Sequence, residues 1–134
     1  MVRIVDKDAV AQARVTEHEC GACGRPPGSI HHVLQKSSPY FGGDVPANLI
    51  ALCGSGTSGC HGAIHGNPYV DRAGKRWTAE EVRFALGRTI MARRFDIACY
   101  VLAKLGPIYG PEYLLNVYGV VLRVEADSTP IIPT

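Results

Sequence analysis

The stretch that decides how this chain folds begins at Cys20-Gly-Ala-Cys23 and continues through Ile30-His31-His32-Val33. It ends at Asn48-Leu-Ile-Ala-Leu-Cys53, Gly54-Ser-Gly-Thr-Ser-Gly59 and Cys60-His61-Gly-Ala-Ile-His65. Four of the five cysteines and four of the five histidines lie here. Two thiol pairs suit the tetrahedral geometry of structural zinc. Cys20 and Cys23 have knuckle spacing. Cys53 and Cys60 stand further apart, with a glycine- and serine-rich filler flexible enough to loop out. The plainer alternative is four packed thiols, since cysteine is among the most buried residue types. The histidines form a second pattern. His31 and His32 are adjacent in a strand-like run, so alternation sends them to opposite faces. His61 and His65, four apart, project from one face of a helix and can share a metal. A lone histidine reads as a packing or surface residue; this grouping, with Cys60 directly before His61, points to metal. His18 stands apart with no assigned role, and Cys99, inside an apolar helical run, reads as core.

Outward from this stretch the chain divides into segments. Residues 1–19 are a polar N-terminal segment with a short helix predicted around Asp8 to Arg14. Residues 20–68 are the metal-bearing unit. Its strands are predicted at Ile30 to Leu34 and Asn48 to Leu52, with turns at Ser37-Ser-Pro39 and Phe41-Gly-Gly-Asp44. A short helix around Gly59 to His65 is stopped by Gly66-Asn-Pro68. Residues 69–126 are predicted as a helical extension. Thr78 and Glu81 make a capping-box pattern, and Val82, Ala85, Leu86, Met91, Phe95, Ala98, Leu102 and Leu105 keep helical spacing. Gly106-Pro107 and Gly110-Pro111 break the run, with Pro111 opening a last helix to Tyr118. Residues 127–134, with two prolines, read as a loose tail. Short strands beside helices make the expected class α+β.

At 134 residues and 46% apolar content, the chain fits one ordered domain with a modest core. It contains no long apolar run of membrane-spanning length, and Met1 to Asp6 lacks a signal peptide's apolar region. The expectation is an intracellular, cytoplasmic protein with no membrane partner, in which reduced cysteines favour metal over disulfides. Net charge is only +2, which neither requires nor excludes nucleic acid. Arg72, Lys75, Arg76, Arg83, Arg88, Arg93, Arg94 and Lys104 nevertheless cluster after the last histidine. They read either as a local basic face for phosphates or as an ordinary solvated helix surface.

The combination Cys20-x-x-Cys23, His31-His32-Val33, Asn48 to Cys53 and Cys60-His61-x-x-x-His65 resembles the zinc-ribboned His-Asn-His (HNH) endonucleases of phages and bacteria. It is also similar to the histidine-rich active site of the DNase colicins. The resemblance covers residues 20–68, and its departure is the widened gap between Cys53 and Cys60. It implies a ββα-metal (His-Me finger) motif with structural zinc, followed here by the C-terminal helical extension. It implies DNA as partner, in the cytoplasm of a bacterial or phage-infected cell. His32 matches the general base. His31, His61 and His65 match the ligands of a catalytic metal. Asn48 matches the middle residue of the family name, and with three histidines present it is expected to brace the loop by hydrogen bonds. Cys20, Cys23, Cys53 and Cys60 match the structural zinc ligands.

The chemistry suits these residue types. Hydrolysis of a phosphodiester needs a water deprotonated near neutral pH, where imidazole titrates. His32 must therefore be neutral, with a carbonyl accepting from its other nitrogen expected to fix its tautomer. A divalent cation neutralises charge on the leaving 3′-oxygen. An all-imidazole ligand set suits Zn²⁺ or Ni²⁺, and the resemblance implies that Mg²⁺ or Mn²⁺ also serves. Two other readings compete with an endonuclease. One is a non-catalytic zinc-binding nucleic-acid module, which gives His32 no role. The other joins Cys20, Cys23, His61 and His65 in one zinc finger, across a gap far beyond finger spacing.

Overall fold

A short run over Ser29–His32 with Ile30 buried, and a fully buried run over Leu49–Leu52, form strands β1 and β2. In the computed structural model, which describes residues 3–124 and 130–131, these strands pair antiparallel. Ser29 lies opposite Leu52, and His31 opposite Ile50. The first helix, α1 (Lys7–Thr16), is capped by Asp6, whose carboxylate accepts from the Asp8 and Ala9 N–H groups. Helix α2 (Gly59–Ile64) follows β2 after a loop. A small hairpin, β3 (Tyr69–Val70) and β4 (Arg76–Trp77), leads into α3 (Ala79–Arg93), which opens with the Thr78 hydroxyl accepting from Glu81 N–H. Helix α4 (Phe95–Tyr118) comes next, and β5 (Arg123–Val124) pairs with β6 (Pro130–Ile131). The class is α+β with small antiparallel sheets, as expected.

Several boundaries differ from the sequence expectation, each for a physical reason. Val33 and Leu34 leave the first strand, and Asn48 sits in a 3₁₀ turn (Pro46–Asn48) rather than opening the second. The reason is a loop clamp: Asn48 Oδ1 accepts from Leu34 N–H at 2.7 Å, and its Nδ2 donates to the Leu34 and Gly43 carbonyls at 3.1 Å. Pro111 does not open the last helix. Only Gly106 leaves helical geometry (φ 89°), so Pro107 starts the final segment with its preset φ, and Pro111 lies inside at the cost of one backbone bond. Cys99 is exposed on α4, not core, because its apolar neighbours Ile97, Ala98, Val101 and Leu102 take the inward stripe. The hairpin β3–β4 had no sequence signal, since two-residue strands carry no periodicity. Most of the expected loose tail, 127–134, lies outside the described residues.

One hydrophobic core joins the two halves. Val33, Leu34, Ile50 and Leu52 pack with Leu86 and Ile90 of α3 and with Ile97, Val101 and Leu114 of α4. Each such burial contributes about 1.5–3 kcal/mol before conformational entropy is counted. A second cluster, Ala13, Ile30, Leu49 and Ala51, seats α1 on the opposite face of the β1–β2 sheet. Gly87 sets how closely the two long helices meet: a Cβ there would stand 2.0 Å from the Tyr118 carbonyl oxygen. Only glycine lets α3 approach the end of α4 at this distance. No helix among the described residues is long and apolar enough to cross a membrane.

Candidate metal centres

The four thiols come together. Cys20 and Cys23 precede β1, Cys53 follows β2, and Cys60 lies in the first turn of α2. Their sulfurs all lie within 4.8 Å of one another, with Cys23 Sγ to Cys53 Sγ at 3.7 Å. Four sulfurs about 2.3 Å from a tetrahedral centre stand about 3.8 Å apart, so the cluster has the size of a zinc site. Backbone N–H groups of Ala22 and Cys23 point at Cys20 Sγ (3.4 and 3.5 Å), and that of Cys60 at Cys53 Sγ (3.3 Å). These dipoles favour thiolate. A hydrogen bond from Cys60 lowers the Cys20 thiol to about 5 against the effect of burial. Burial raises Cys23 to about 11, the Cys20 charge adding to it, and Cys60 is pushed up by its bond to Cys20 and by burial. Charge on Cys20 thus opposes charge on Cys23 and Cys60, which a bound cation would relieve. The widened loop is accommodated by Gly54 and Gly59, both at positive φ (79° and 61°). This cluster can hold a structural metal such as zinc.

The three histidines form a separate group. Ligand nitrogens of His31, His61 and His65 lie within 4.8 Å of one another. His65 is the C-cap of α2 rather than a helical residue, yet its ring centroid stands 5.0 Å from that of His61. Cys60 and His61 are neighbours on α2 but about 100° apart around it, so each serves a different cluster. The single-finger reading therefore fails: thiols gather with thiols, and imidazoles with imidazoles.

Hydroxyl groups assign the tautomers of two of these histidines. Ser29 Oγ donates to the Gly54 carbonyl at 2.8 Å, so toward His61 Nδ1, 2.5 Å away, it accepts. His61 therefore carries its proton on Nδ1 and leaves Nε2 bare. Tyr118 donates its hydroxyl to the Val33 carbonyl at 2.7 Å, so it accepts from His31 Nε2 at 3.0 Å and leaves His31 Nδ1 bare. Burial keeps the Tyr118 phenol protonated, well above its ordinary value. Burial, then the neighbouring imidazoles, hold His31 down to about 3 and His61 to about 4. Both are neutral at pH 7. A neutral imidazole whose second nitrogen is held by a fixed partner is what a metal ligand requires. The donor chemistry fits a borderline divalent cation.

His32 lies on the other face of β1, as alternation predicts. Its Nε2 donates to Asp44 Oδ1 at 2.7 Å, leaving Nδ1 bare. The expected carbonyl partner is thus replaced by a carboxylate, because the Asn48 clamp folds Gly43 and Asp44 back under β1. Asp44 is 6% exposed and is also held by the Arg3 guanidinium and the Asp6 N–H. Burial opposes its ionisation, but the His32 bond, the Asp6 N–H and Arg3 outweigh it and hold the carboxyl below its ordinary range. Burial lowers His32 below its ordinary 6.5, with Asp44 pulling partly the other way. Asn48 is 0% exposed and braces the loop, its side chain hydrogen-bonded to the Leu34 and Gly43 backbone rather than to a histidine.

Both histidine faces open into one cavity of about 1070 Å³. Its rim cations are not the expected ones. Of the eight basic residues named above from the helical extension, only Arg83 lines it; Arg93 is paired with Glu19, Arg94 with Glu17 and Asp96, and Lys75 with Glu81. Arg3, Lys7, Arg14 and Lys36 line it instead. Sequence reasoning missed these, along with Asp44, Ser29 and Tyr118. Ser29 had a readable signal, two residues before His31 and hence on the same strand face. Tyr118 had none, being 87 residues away.

No protein-family model, curated protein or solved structure matches this chain.

Proposed function

We propose that this chain is a metal-dependent endonuclease of the HNH type that hydrolyses DNA phosphodiester bonds, with β1, β2 and α2 serving as its ββα-metal motif. The observation that carries the reading is the convergence of three imidazoles beside a fourth, His32, with a bare Nδ1, in one cation-rimmed cavity. A purely structural site has no use for the fourth. In this reading His32 Nδ1 takes the proton of the attacking water, while Nε2–H stays on Asp44, which stabilises the imidazolium that forms. His31, His61 and His65 would hold a divalent ion (Mg²⁺, Mn²⁺, Ni²⁺ or Zn²⁺), which would supply charge neutralisation for the leaving 3′-oxygen. The bare nitrogens of His31 and His61 point the ligand set at one locus, and Asn48 holds the loop that carries Asp44. The thiol cluster pins both ends of the β2–α2 connection. Reduced thiols fit the cytoplasm of a bacterial or phage-infected cell.

The test is nicking of supercoiled plasmid by protein stripped of loosely held metal, with each of the four cations restored in turn. Metal-restored nicking that disappears in His32→Ala is the expected result. DNA binding without cleavage under every cation would instead make the chain a non-catalytic zinc-binding nucleic-acid module.

A further inference from the structure

We propose that α1, to which the sequence assigned no role, forms with Lys36 and Arg83 a rim that grips the backbone of double-stranded DNA across the histidine group. The inference rests on the nuclease reading and names the part of the chain that holds its substrate. Because strand alternation puts Ile30 and His32 on one face of β1, the helix that packs on Ile30 through Ala13 and Val10 comes to lie beside His32. Lys7 and Arg14 both line the cavity from this helix. They stand seven residues apart, hence on one face and about 10 Å apart along its axis. That separation lets the two cations meet different phosphates of one backbone. Lys36, after β1, and Arg83, on α3, line the same cavity.

Charge is concentrated here out of proportion to the chain as a whole. The lining carries five cations and a single carboxylate, Asp44, which Arg3 and His32 already hold. Among the described residues Lys7, Arg14, Lys36 and Arg83 make no ion pair, whereas Lys75, Arg93 and Arg94 do. Cations held open around a low-dielectric wall attract a polyanion. The aromatic residues of the wall favour duplex over single strand. Unpaired bases are held by stacking on open aromatic faces, but Tyr113 and Tyr118 are 5% and 2% exposed, with both hydroxyls donated to the Val33 carbonyl.

The experiment measures binding of a short fluorescent duplex by His32→Ala protein carrying its metals, between about 50 and 200 mM salt. Lys7→Gln and Arg14→Gln should each weaken binding and make the log–log salt slope shallower by about 0.9, and the pair by about 1.8. Arg14→Lys should keep the slope, which separates lost charge from a damaged helix. Arg72→Gln and Arg88→Gln, outside the cavity, should leave it unchanged. An unaltered slope in the double variant overturns the proposal, as does a loss that appears at Arg72 and Arg88 instead. Tighter binding of the corresponding single strand overturns the duplex assignment. If wild-type protein binds duplex through this rim yet cleaves with no cation, the nuclease reading falls and the rim stands. If it binds no duplex, both fall.

Discussion

Cys60 and His61 are consecutive residues of one short helix, yet they belong to regions built on opposite plans. Around Cys60 three of the four thiols are buried, and the partners that steady the sulfurs are backbone N–H groups. Around His61 the group is half-open, His65 is exposed, and the steadying partners are side-chain hydroxyls anchored on distant carbonyls. A closed set of four ligands leaves an ion no free position and makes binding part of folding. Three imidazoles facing a cavity leave positions for something else. Enclosure, more than ligand type, separates a centre that holds structure from one that can meet a substrate.

The sharpest way to break this contrast is to attack the closed region. Cys20→Ser should unfold the domain, because structural zinc contributes on the order of 10 kcal/mol to folding. Loss of the cooperative thermal transition is the expected outcome. A variant of normal melting temperature and full zinc content would remove the structural role. His32→Ala should do the reverse, keeping a cooperative melting transition and full metal content while plasmid cleavage drops about 10²–10⁴-fold. Residual cleavage within about tenfold of wild type would remove the general base.

A finer comparison lies in the hydroxyl relays. Tyr118→Phe and Ser29→Ala should each weaken metal binding at the histidines by about 10–100-fold while leaving the thiol site loaded. Calorimetric titration of protein with only the histidine site emptied reads this directly. Equal losses at both sites would mean that the two regions are one structural unit. The smallest expected effect is in pH. His32 is held below 6.5, so cleavage should fall only as pH drops through that lowered value. The bond to Asp44 raises the His32 value, so Asp44→Asn should move the acidic limb of kcat/KM to still lower pH, with a smaller maximum from lost orientation. An unmoved limb would show that Asp44 does not sense the titrating group.

What was legible along the chain was set by range. The helix cap at Thr78, the stripe from Val82 to Leu105 and the alternation over Ile30 to His32 are local patterns, and they appear close to where they were expected. Element ends were less legible. The Asn48 clamp, made between residues 14 apart, ends β1 early and delays β2, and the choice between Gly106 and Gly110 as the break depends on how Gly110 packs against Leu102. Lys and Arg positions were the least informative. A count of cations after His65 cannot reveal that Glu17 and Glu19, from the other end of the chain, take Arg94 and Arg93.

By itself the sequence determined which thiols and imidazoles are candidates to hold metal. Thiols three apart and imidazoles four apart have metal-binding geometry built into their spacing, because local backbone geometry alone projects them together. It also determined that His31 and His32 part to opposite faces. Only the tertiary structure decided which nitrogen of each imidazole is bare, since that depends on Tyr118, Ser29 and Asp44 arriving from elsewhere. Tyr118 reaches His31 because α4 returns over α3 at Gly87, an approach set by packing across the whole core. The rim of the cavity was likewise decided by where α1 docks. Side-chain protonation and field are properties of neighbours in space, and neighbours in space are what burial of a shared core arranges.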